Sequence, residues 1–281
     1  MKNTVATLLA MKQQGEKIAM LTCYDYSTAR LVDAAGINAI LVGDSLGMTM
    51  QGYTTTLPVT MEEMIIYGRS VVRGAQDAFV VMDMPFMSYQ ASLPQAVENA
   101  GRLIKETGAG AVKLEGGAVV TPQIRAIVAA GIPVCAHIGM TPQSVNAFGG
   151  FKVQGKGEDQ ARAVLEDALA VEDAGAFMVV LECVPPKLSA LISKKLAIPT
   201  VGIGAGAGCD GQVLVCQDML GMDDDFVPKF VKRYAALGDA MTRAFATYAA
   251  EVKAGEFPED AHAYTKSDCD DNYLTQLDDD Y

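Results

Sequence analysis

The stretch SLPQAVENAGRLIKETGAGAVKLE, residues 92–115, contains one complete unit of the fold. Ser92-x-x-Gln95 has capping-box form, and Val97, Ala100, Leu103 and Ile104 follow at helical spacing. Gly108 occupies the left-handed position expected just past a helix end, and Ala111-Val112-Lys113-Leu114 is an apolar run of strand length closed by Glu115. The unit reads as a capped helix, a glycine stop, a strand and a terminal carboxylate.

The same phrase recurs on either side. Gly36 precedes the run Ile37 to Val42, Gly131 precedes Ile132 to Cys135, and Gly175 precedes Ala176 to Leu181. Thr60-x-x-Glu63 is a second capping box, and Thr121-Pro122 places a capper before a proline at the first helical position. Buried faces are predicted at Met64, Ile65, Val71 and Val72, at Ile124, Ile127 and Val128, and, within 158–174, at Ala161, Val164, Leu165, Ala168 and Leu169. Strands are predicted near 18–23, 38–43, 78–83, 110–115, 132–138, 176–182, 198–203 and 212–216. They are near-continuous apolar runs, as in a parallel sheet covered by helices. The span from Ile18 to Val252 is close to the ~250 residues of one barrel. The sequence therefore predicts an α/β chain forming a single (β/α)8 TIM barrel, with residues 1–14 as a lead-in helix. An open doubly wound sheet is the rival, and its dinucleotide-binding version lacks a GxGxxG after the first strand. The barrel is expected over 1–264, with 265–281 a flexible acidic tail.

The 281 residues carry 22 Lys and Arg against 34 Asp and Glu, a formal charge of −12. That acid excess argues against nucleic acid or an anionic membrane as partner. Part of it is local, since residues 268–281 hold six Asp and no Lys or Arg. Cys23, Cys135, Cys183, Cys209, Cys216 and Cys269 form no CxxC pair and read as buried small hydrophobes of a reducing compartment. No apolar run reaches the length of a membrane span, so a cytoplasmic location is expected.

A parallel barrel builds its active site at the C-terminal ends of its strands. Five predicted strands end in ionisable groups: Asp44-Ser45 after strand two, Asp83 after three, Lys113 and Glu115 on four, His137 on five and Glu182 on six. Period-two alternation turns Lys113 and Glu115 to one side, both able to face the mouth. Asp44, Asp83 and Glu115 lie on consecutive strands spaced about 4.8 Å apart, where three carboxylates repel unless protonated or bridged by a cation. An all-oxygen set favours Mg2+ over Zn2+, with some carboxylates acting through water. Glu182, nearly across the mouth, suits a general base; a salt bridge to Lys187 or Arg162 is the alternative. His137 reads equally as a substrate contact or a satisfied core residue. Lys113 adds positive charge for an anionic substrate or pairs with Glu115; three neighbouring acids disfavour a Schiff-base role. No GxSxG elbow supports a serine hydrolase. The glycine loop 202–208 follows strand seven, where barrels often bind phosphate, and serves equally for close approach to a flat ligand.

Particular words then carry a resemblance. Met20-Leu21-Thr22-Cys23-Tyr24-Asp25, Leu41-Val42-Gly43-Asp44-Ser45-Leu46-Gly47, Asp83-Met84-Pro85-Phe86-Met87-Ser88-Tyr89 and Val112-Lys113-Leu114-Glu115-Gly116-Gly117 come first. His137-Ile138-Gly139-Met140-Thr141-Pro142-Gln143-Ser144, Phe148-Gly149-Gly150-Phe151-Lys152 and Leu181-Glu182-Cys183-Val184-Pro185 follow. Over residues 3–264 the chain resembles the ketopantoate hydroxymethyltransferase family. The resemblance implies a (β/α)8 barrel that moves a one-carbon unit from 5,10-methylenetetrahydrofolate to 3-methyl-2-oxobutanoate, giving 2-dehydropantoate for pantothenate and coenzyme A synthesis. It implies a cytoplasmic homo-oligomer, commonly a homodecamer. It assigns Mg2+ to Asp44, Asp83 and Glu115, the oxoacid to Asp44, Ser45, Asp83 and Lys113, and the proton to Glu182. Tyr53 and Tyr67 stand where the family often has His, which bears on lid and folate contacts. The nearest enzyme rival is a Mg2+-dependent lyase of the isocitrate lyase or phosphonopyruvate type, whose Lys-Lys-Cys-Gly lid motif is missing. A catalytically silent barrel is the non-enzyme rival.

Overall fold

The computed structural model describes residues 2–222, 227–264 and 271–280. The elements run α1 (Val5–Gln14), β1 (Ile18–Thr22), α2 (Tyr26–Ala34), β2 (Ala39–Val42), α3 (Leu46–Thr49), α4 (Met61–Gly74), β3 (Phe79–Asp83), α5 (Leu93–Thr107), β4 (Ala111–Glu115) and α6 (Thr121–Ala129). Then come β5 (Val134–Gly139), α7 (Val145–Phe148), α8 (Glu158–Asp173), β6 (Met178–Glu182), α9 (Pro186–Lys195), β7 (Thr200–Ile203), β8 (Gly211–Leu214), α10 (Cys216–Leu220), α11 (Leu237–Ala254) and α12 (Asp271–Asp280). The strands pair in parallel in sequence order, and β8 closes on β1. This is the (β/α)8 barrel the repeated phrase predicts, not an open sheet. Of the acidic segment 265–281, Asp271–Asp280 is helical and the rest lies outside the described residues.

Local signals act as read. Thr60 and Glu63 form a reciprocal capping box on α4; Ser92 accepts the Gln95 N–H at the start of α5, but the Gln95 side chain returns no bond, so that expected box is only half formed. Gly36, Gly108, Gly131 and Gly175 all have φ between 78° and 98°, the left-handed stop after a helix. Two further details differ. Thr121 is the first residue of α6 and donates its hydroxyl to the Ala118 carbonyl, because the preceding 3-10 turn already delivers the chain to the helix. Leu169 is 43% exposed, and the buried stripe of α8 is Val164, Ala168 and Val171; this i, i+4, i+7 row is the one that the helix turns to the sheet.

Alternation along the strands sorts the core into two layers. Val80, Met82, Val112, Leu114, Ala136 and Val179 point outward under the helices. Leu41, Val81, Ala111, Cys135, Met178, Val180 and Val201 fill the barrel interior. Leu8 of α1 belongs to this inner layer and is fully buried. At one end of α1 Asn3 donates to the Asp77 carbonyl beside β3; at the other Lys12 Nζ reaches Asp210 Oδ2 at 2.7 Å and the Ser193 carbonyl at 2.8 Å. The lead-in helix therefore crosses and stoppers the N-terminal end of the barrel. One side of the outer wall is left open: Ala19 of β1 and Gln212 of β8 are exposed, and α11 buries none of its side chains.

Two consequences can be measured. Leu8→Ala removes the stopper's apolar anchor and is expected to cost about 2–5 kcal/mol in urea unfolding; an unchanged midpoint would show that α1 does not close the interior. Asp33 accepts the N–H groups of Asp77 and Ala78 at 2.9 and 2.7 Å, tying α2 to β3. Burial pushes its carboxyl up, but these backbone donors outweigh that and hold it below the usual range. Its contribution is thus present above the ordinary carboxylate pKa and lost as pH falls through the depressed one. The stability gap between wild type and Asp33→Ala, about 1–2 kcal/mol at neutral pH, should narrow progressively below pH ~4.

Candidate active site

Barrel closure brings the predicted residues to one mouth. Asp83, Lys113, Glu115 and His137 are inward-facing ends of β3, β4 and β5, with Asp83 beside Lys113 and Glu115 beside His137 in register. Asp44 and Ser45 sit in the turn that leads from β2 into α3. Asp44, Asp83, Lys113 and His137 are each only 3% exposed, and Glu115 6%.

Lys113 Nζ lies 2.5 Å from Asp83 Oδ1 and 3.4 Å from His137 Nδ1. The sequence left its partner open between Glu115 and substrate; the ion pair is with Asp83. The Asp44 N–H donates to Asp83 Oδ2 at 3.0 Å, joining the strand-two turn to the strand-three end. His137 stands between two acids, its Nδ1 3.3 Å from Glu115 Oε1 and its Nε2 3.2 Å from Glu182 Oε2. Among the described residues Glu182 thus faces His137, not Lys187 or Arg162. Ser45 shares a 2.8 Å hydrogen bond with the buried hydroxyl of Tyr24.

Charge is the governing feature. Burial and the Lys113 cation both push His137 down, yet Glu115 and Glu182 outweigh them, and its pKa rises to about 9. Burial likewise opposes the Lys113 charge, but Asp83, Glu115 and Asp44 keep its pKa above the ordinary lysine value. Asp44 is raised well above the usual range by burial and by Asp83 and Glu115. Asp83 is raised by burial against the pull of Lys113. Glu115 is lowered despite burial, because His137, Lys113 and the Gln143 N–H stabilise its charged form. Four carboxylates, three of them buried and Glu182 half-buried, against two cations leave a surplus of acids at the mouth.

That surplus, with an all-oxygen donor set, fits a hard divalent cation. Among the described residues no three His, Cys, Asp or Glu side chains gather into a ready-made cage. The arrangement suits an ion held by one or two carboxylates together with water and substrate oxygens. Asp83 Oδ1, buried and with no hydrogen-bond partner beyond its ion pair with Lys113, is an oxygen available for that purpose.

Glu182 is the most open of these acids: 16% of its side chain is exposed, against 4% for Asp83 and 3% for Glu115. Its backbone is held tightly. A Cβ on Gly139 would lie 2.4 Å from the Glu182 carbonyl oxygen, and the next residue, Cys183, takes φ 50°, a left-handed conformation that costs a non-glycine residue about 1–3 kcal/mol. Burial pushes the Cys135 thiol up to about 12 and those of Cys23 and Cys183 to about 11, so these sulfurs are poor nucleophiles.

Two buried residues escaped the charge-based reading. Gln143 and Tyr89 hydrogen-bond to each other and to the acid cluster, and only the quoted words that contain them gave any signal. The glycine loop 202–208 is explained by packing: a Cβ on Gly206 would meet Pro186 of α9 at 2.6 Å.

The Lys113–Asp83 pair gives a test. Removing one partner strands the other's charge, so Lys113→Met should cost about 3–5 kcal/mol in denaturant unfolding, and adding Asp83→Asn should restore part of that loss. Equal or additive losses would mean the two groups do not compensate one another.

A sequence model of the family "Ketopantoate hydroxymethyltransferase" matches residues 2–260. A 3-methyl-2-oxobutanoate hydroxymethyltransferase of Clostridium novyi is 63% identical over 264 residues, covering 94% of this chain and 96% of that protein. The enzyme of the same name from Enterococcus faecalis is 63% identical over 268 residues, covering 95% and 98%. Among solved structures, a phosphonopyruvate hydrolase in complex with oxalate and Mg2+ aligns with TM-score 0.61 at 13% identity, covering 99% of this chain and 95% of that one. A 2,3-dimethylmalate lyase of the PEP mutase/isocitrate lyase superfamily aligns with TM-score 0.59 at 16% identity, covering 100% and 97%. These two likenesses speak for the barrel alone.

Proposed function

The chain belongs to the ketopantoate hydroxymethyltransferase family, and on that premise we propose that it transfers a one-carbon unit from 5,10-methylenetetrahydrofolate to C3 of 3-methyl-2-oxobutanoate, giving 2-dehydropantoate. It is a hydroxymethyltransferase of pantothenate biosynthesis; the folate donor and the mechanism below are our reading. The observation that carries this reading is the position of Glu182, the most open carboxylate at the mouth, facing His137 and set apart from the paired Asp83 and Lys113.

The oxoacid is an anion with two adjacent oxygen functions. Lys113, held cationic, supplies the positive charge that draws its carboxylate and keto oxygen into the mouth, beside Asp44, Ser45 and Asp83. Asp44, Asp83 and Glu115 are the groups that would hold Mg2+, directly or through water. When bound, Mg2+ supplies Lewis-acid stabilisation of the charge that develops on the keto oxygen, worth several kcal/mol. Glu182 takes the C3 proton, and a placed base of this kind contributes roughly 10²–10⁴-fold. The C3 carbanion then forms a bond to the methylene carbon of the folate. Both carbon–nitrogen bonds of that bridging methylene break, water supplies the hydroxyl oxygen, and the two folate nitrogens leave carrying the proton taken from C3 and one proton of the water. His137, between Glu115 and Glu182, orients the base and lines the oxoacid's side of the pocket.

A homodecamer in the cytoplasm completes the proposal. The exposed apolar residues Phe245, Tyr248 and Val252 of α11, in a row with half-buried Met241, and the bare outer face of β1 and β8 on the same chain, support assembly with further copies. Free Cys23, Cys135, Cys183, Cys209 and Cys216 suit a reducing compartment. No helix among the described residues is long and apolar enough to cross a membrane.

Proton NMR in D2O isolates the first step. With Mg2+ and 3-methyl-2-oxobutanoate but no folate, the wild type should exchange the C3 hydrogen for deuterium, and Glu182→Gln should slow this by about 10²-fold or more. Exchange that needs no metal, or that survives intact in Glu182→Gln, would sink the assigned roles.

A further inference from the structure

We propose that Gln143 is a positioning residue: its side-chain amide sets the orientation of the Asp44 carboxylate, and its backbone N–H that of Glu115, for binding the oxoacid and its cation. The inference rests on the function proposed above and concerns a residue that carries no charge and performs no step of the reaction.

Gln143 lies in the 3-10 turn Pro142–Ser144 just beyond β5 and is 6% exposed. Its Nε2 donates to Asp44 Oδ2 at 2.8 Å and to the Met84 carbonyl at 2.9 Å. Its Oε1 accepts from the Tyr89 hydroxyl at 2.8 Å and from Gln90 Nε2 at 3.2 Å. Its backbone N–H donates to Glu115 Oε2 at 2.9 Å. Both amide hydrogens and both carbonyl lone pairs are engaged, so only one orientation of the group satisfies its neighbours. A flipped amide would set Oε1 against Asp44 Oδ2 and the Met84 carbonyl.

The consequence is geometric. Asp44 and Glu115 come from the ends of β2 and β4, which are not adjacent strands, and Gln143 from beyond β5. One side chain and its own N–H therefore fix carboxylates from two separate elements. Each engages Gln143 through a single oxygen, Oδ2 of Asp44 and Oε2 of Glu115. Tyr89 supports the clamp from the far side. Its hydroxyl donates to Gln143 Oε1 and accepts the Glu115 N–H at 3.1 Å. Outer partners that orient ligating carboxylates in this way typically contribute 10–100-fold to affinity or activity.

Titration calorimetry with Mg2+ and 3-methyl-2-oxobutanoate, paired with thermal unfolding of the metal-free protein, tests the clamp. Gln143→Met, similar in volume, should weaken oxoacid-dependent Mg2+ binding by roughly 10–100-fold. Gln143→Glu, isosteric but presenting an acceptor where Asp44 needs a donor, should lose more than Gln143→Met. Tyr89→Phe keeps the ring, frees Gln143 Oε1 and should shift binding in the same direction by less; it decides the matter if the Gln143 variants fail to fold. Wild-type binding matched within about twofold by the variants, even with a lowered melting temperature, would reduce Gln143 to a structural residue and overturn the clamp alone. No binding by the wild type would overturn the functional reading, and the clamp's purpose with it.

Discussion

A lysine ammonium buried against an aspartate, Lys113 on Asp83, is the interaction around which the mouth of this barrel is organised. Closing eight parallel strands brings their C-terminal ends together at one mouth, and here four of the eight end at or beside an acid. Without an internal cation the carboxylates could not share that volume in charged form, since desolvation and mutual repulsion both favour their neutral state. Lys113 and His137 are placed inside the acid ring, two cations against four acids, while burial and repulsion from Asp83 and Glu115 push the Asp44 carboxyl up. That excess of acids is what the proposed cation would neutralise, and it is the reason the proposed oxoacid anion would enter together with the cation.

The fold was legible because its signals are local. A cap, a helical row, a left-handed glycine and an apolar run are each written within a few residues, and their repetition fixes a parallel sheet whose strand ends share one face. Every acid and base proposed from the strand ends does lie at that face. Partner choice was not legible. Whether Lys113 pairs with Asp83 or Glu115, and whether Glu182 meets His137 or a surface cation, depends on barrel stagger, which no local pattern encodes. Gln143 is harder still: a neutral amide has no charge signature, and its importance lies in four hydrogen bonds to four separate residues. The bare helix α11 marks another limit, because an apolar row looks the same in sequence whichever surface it covers.

The comparisons separate fold from chemistry in the same way. A lyase and a hydrolase share the barrel at 13–16% identity, whereas hydroxymethyltransferases share it at 63%. A barrel with acids at its mouth is common ground for many reactions, and the identity of the reaction resides in how those acids are partnered. Here Glu182 remains open to the mouth while Asp44, Asp83 and Glu115 are closed in by Lys113, His137 and Gln143. On the function proposed above, that asymmetry would divide a set of chemically similar carboxylates into a base and a binding group.

The two ends of the barrel then appear as complementary halves of one design problem. Collecting buried acids at the mouth works against stability, because desolvated charge is only partly compensated by pairing. The opposite end is closed by packing: Leu8 of α1 enters the interior layer, and Lys12 and Asn3 tie the helix across to Asp210 and Asp77. Apolar burial at that end offsets part of the cost of the mouth without touching it. The acid excess of the composition divides along the same line. The Asp residues near the C-terminus say nothing of catalysis, while Asp44, Asp83, Glu115 and Glu182 are tolerable only because a sealed scaffold holds them beside Lys113 and His137.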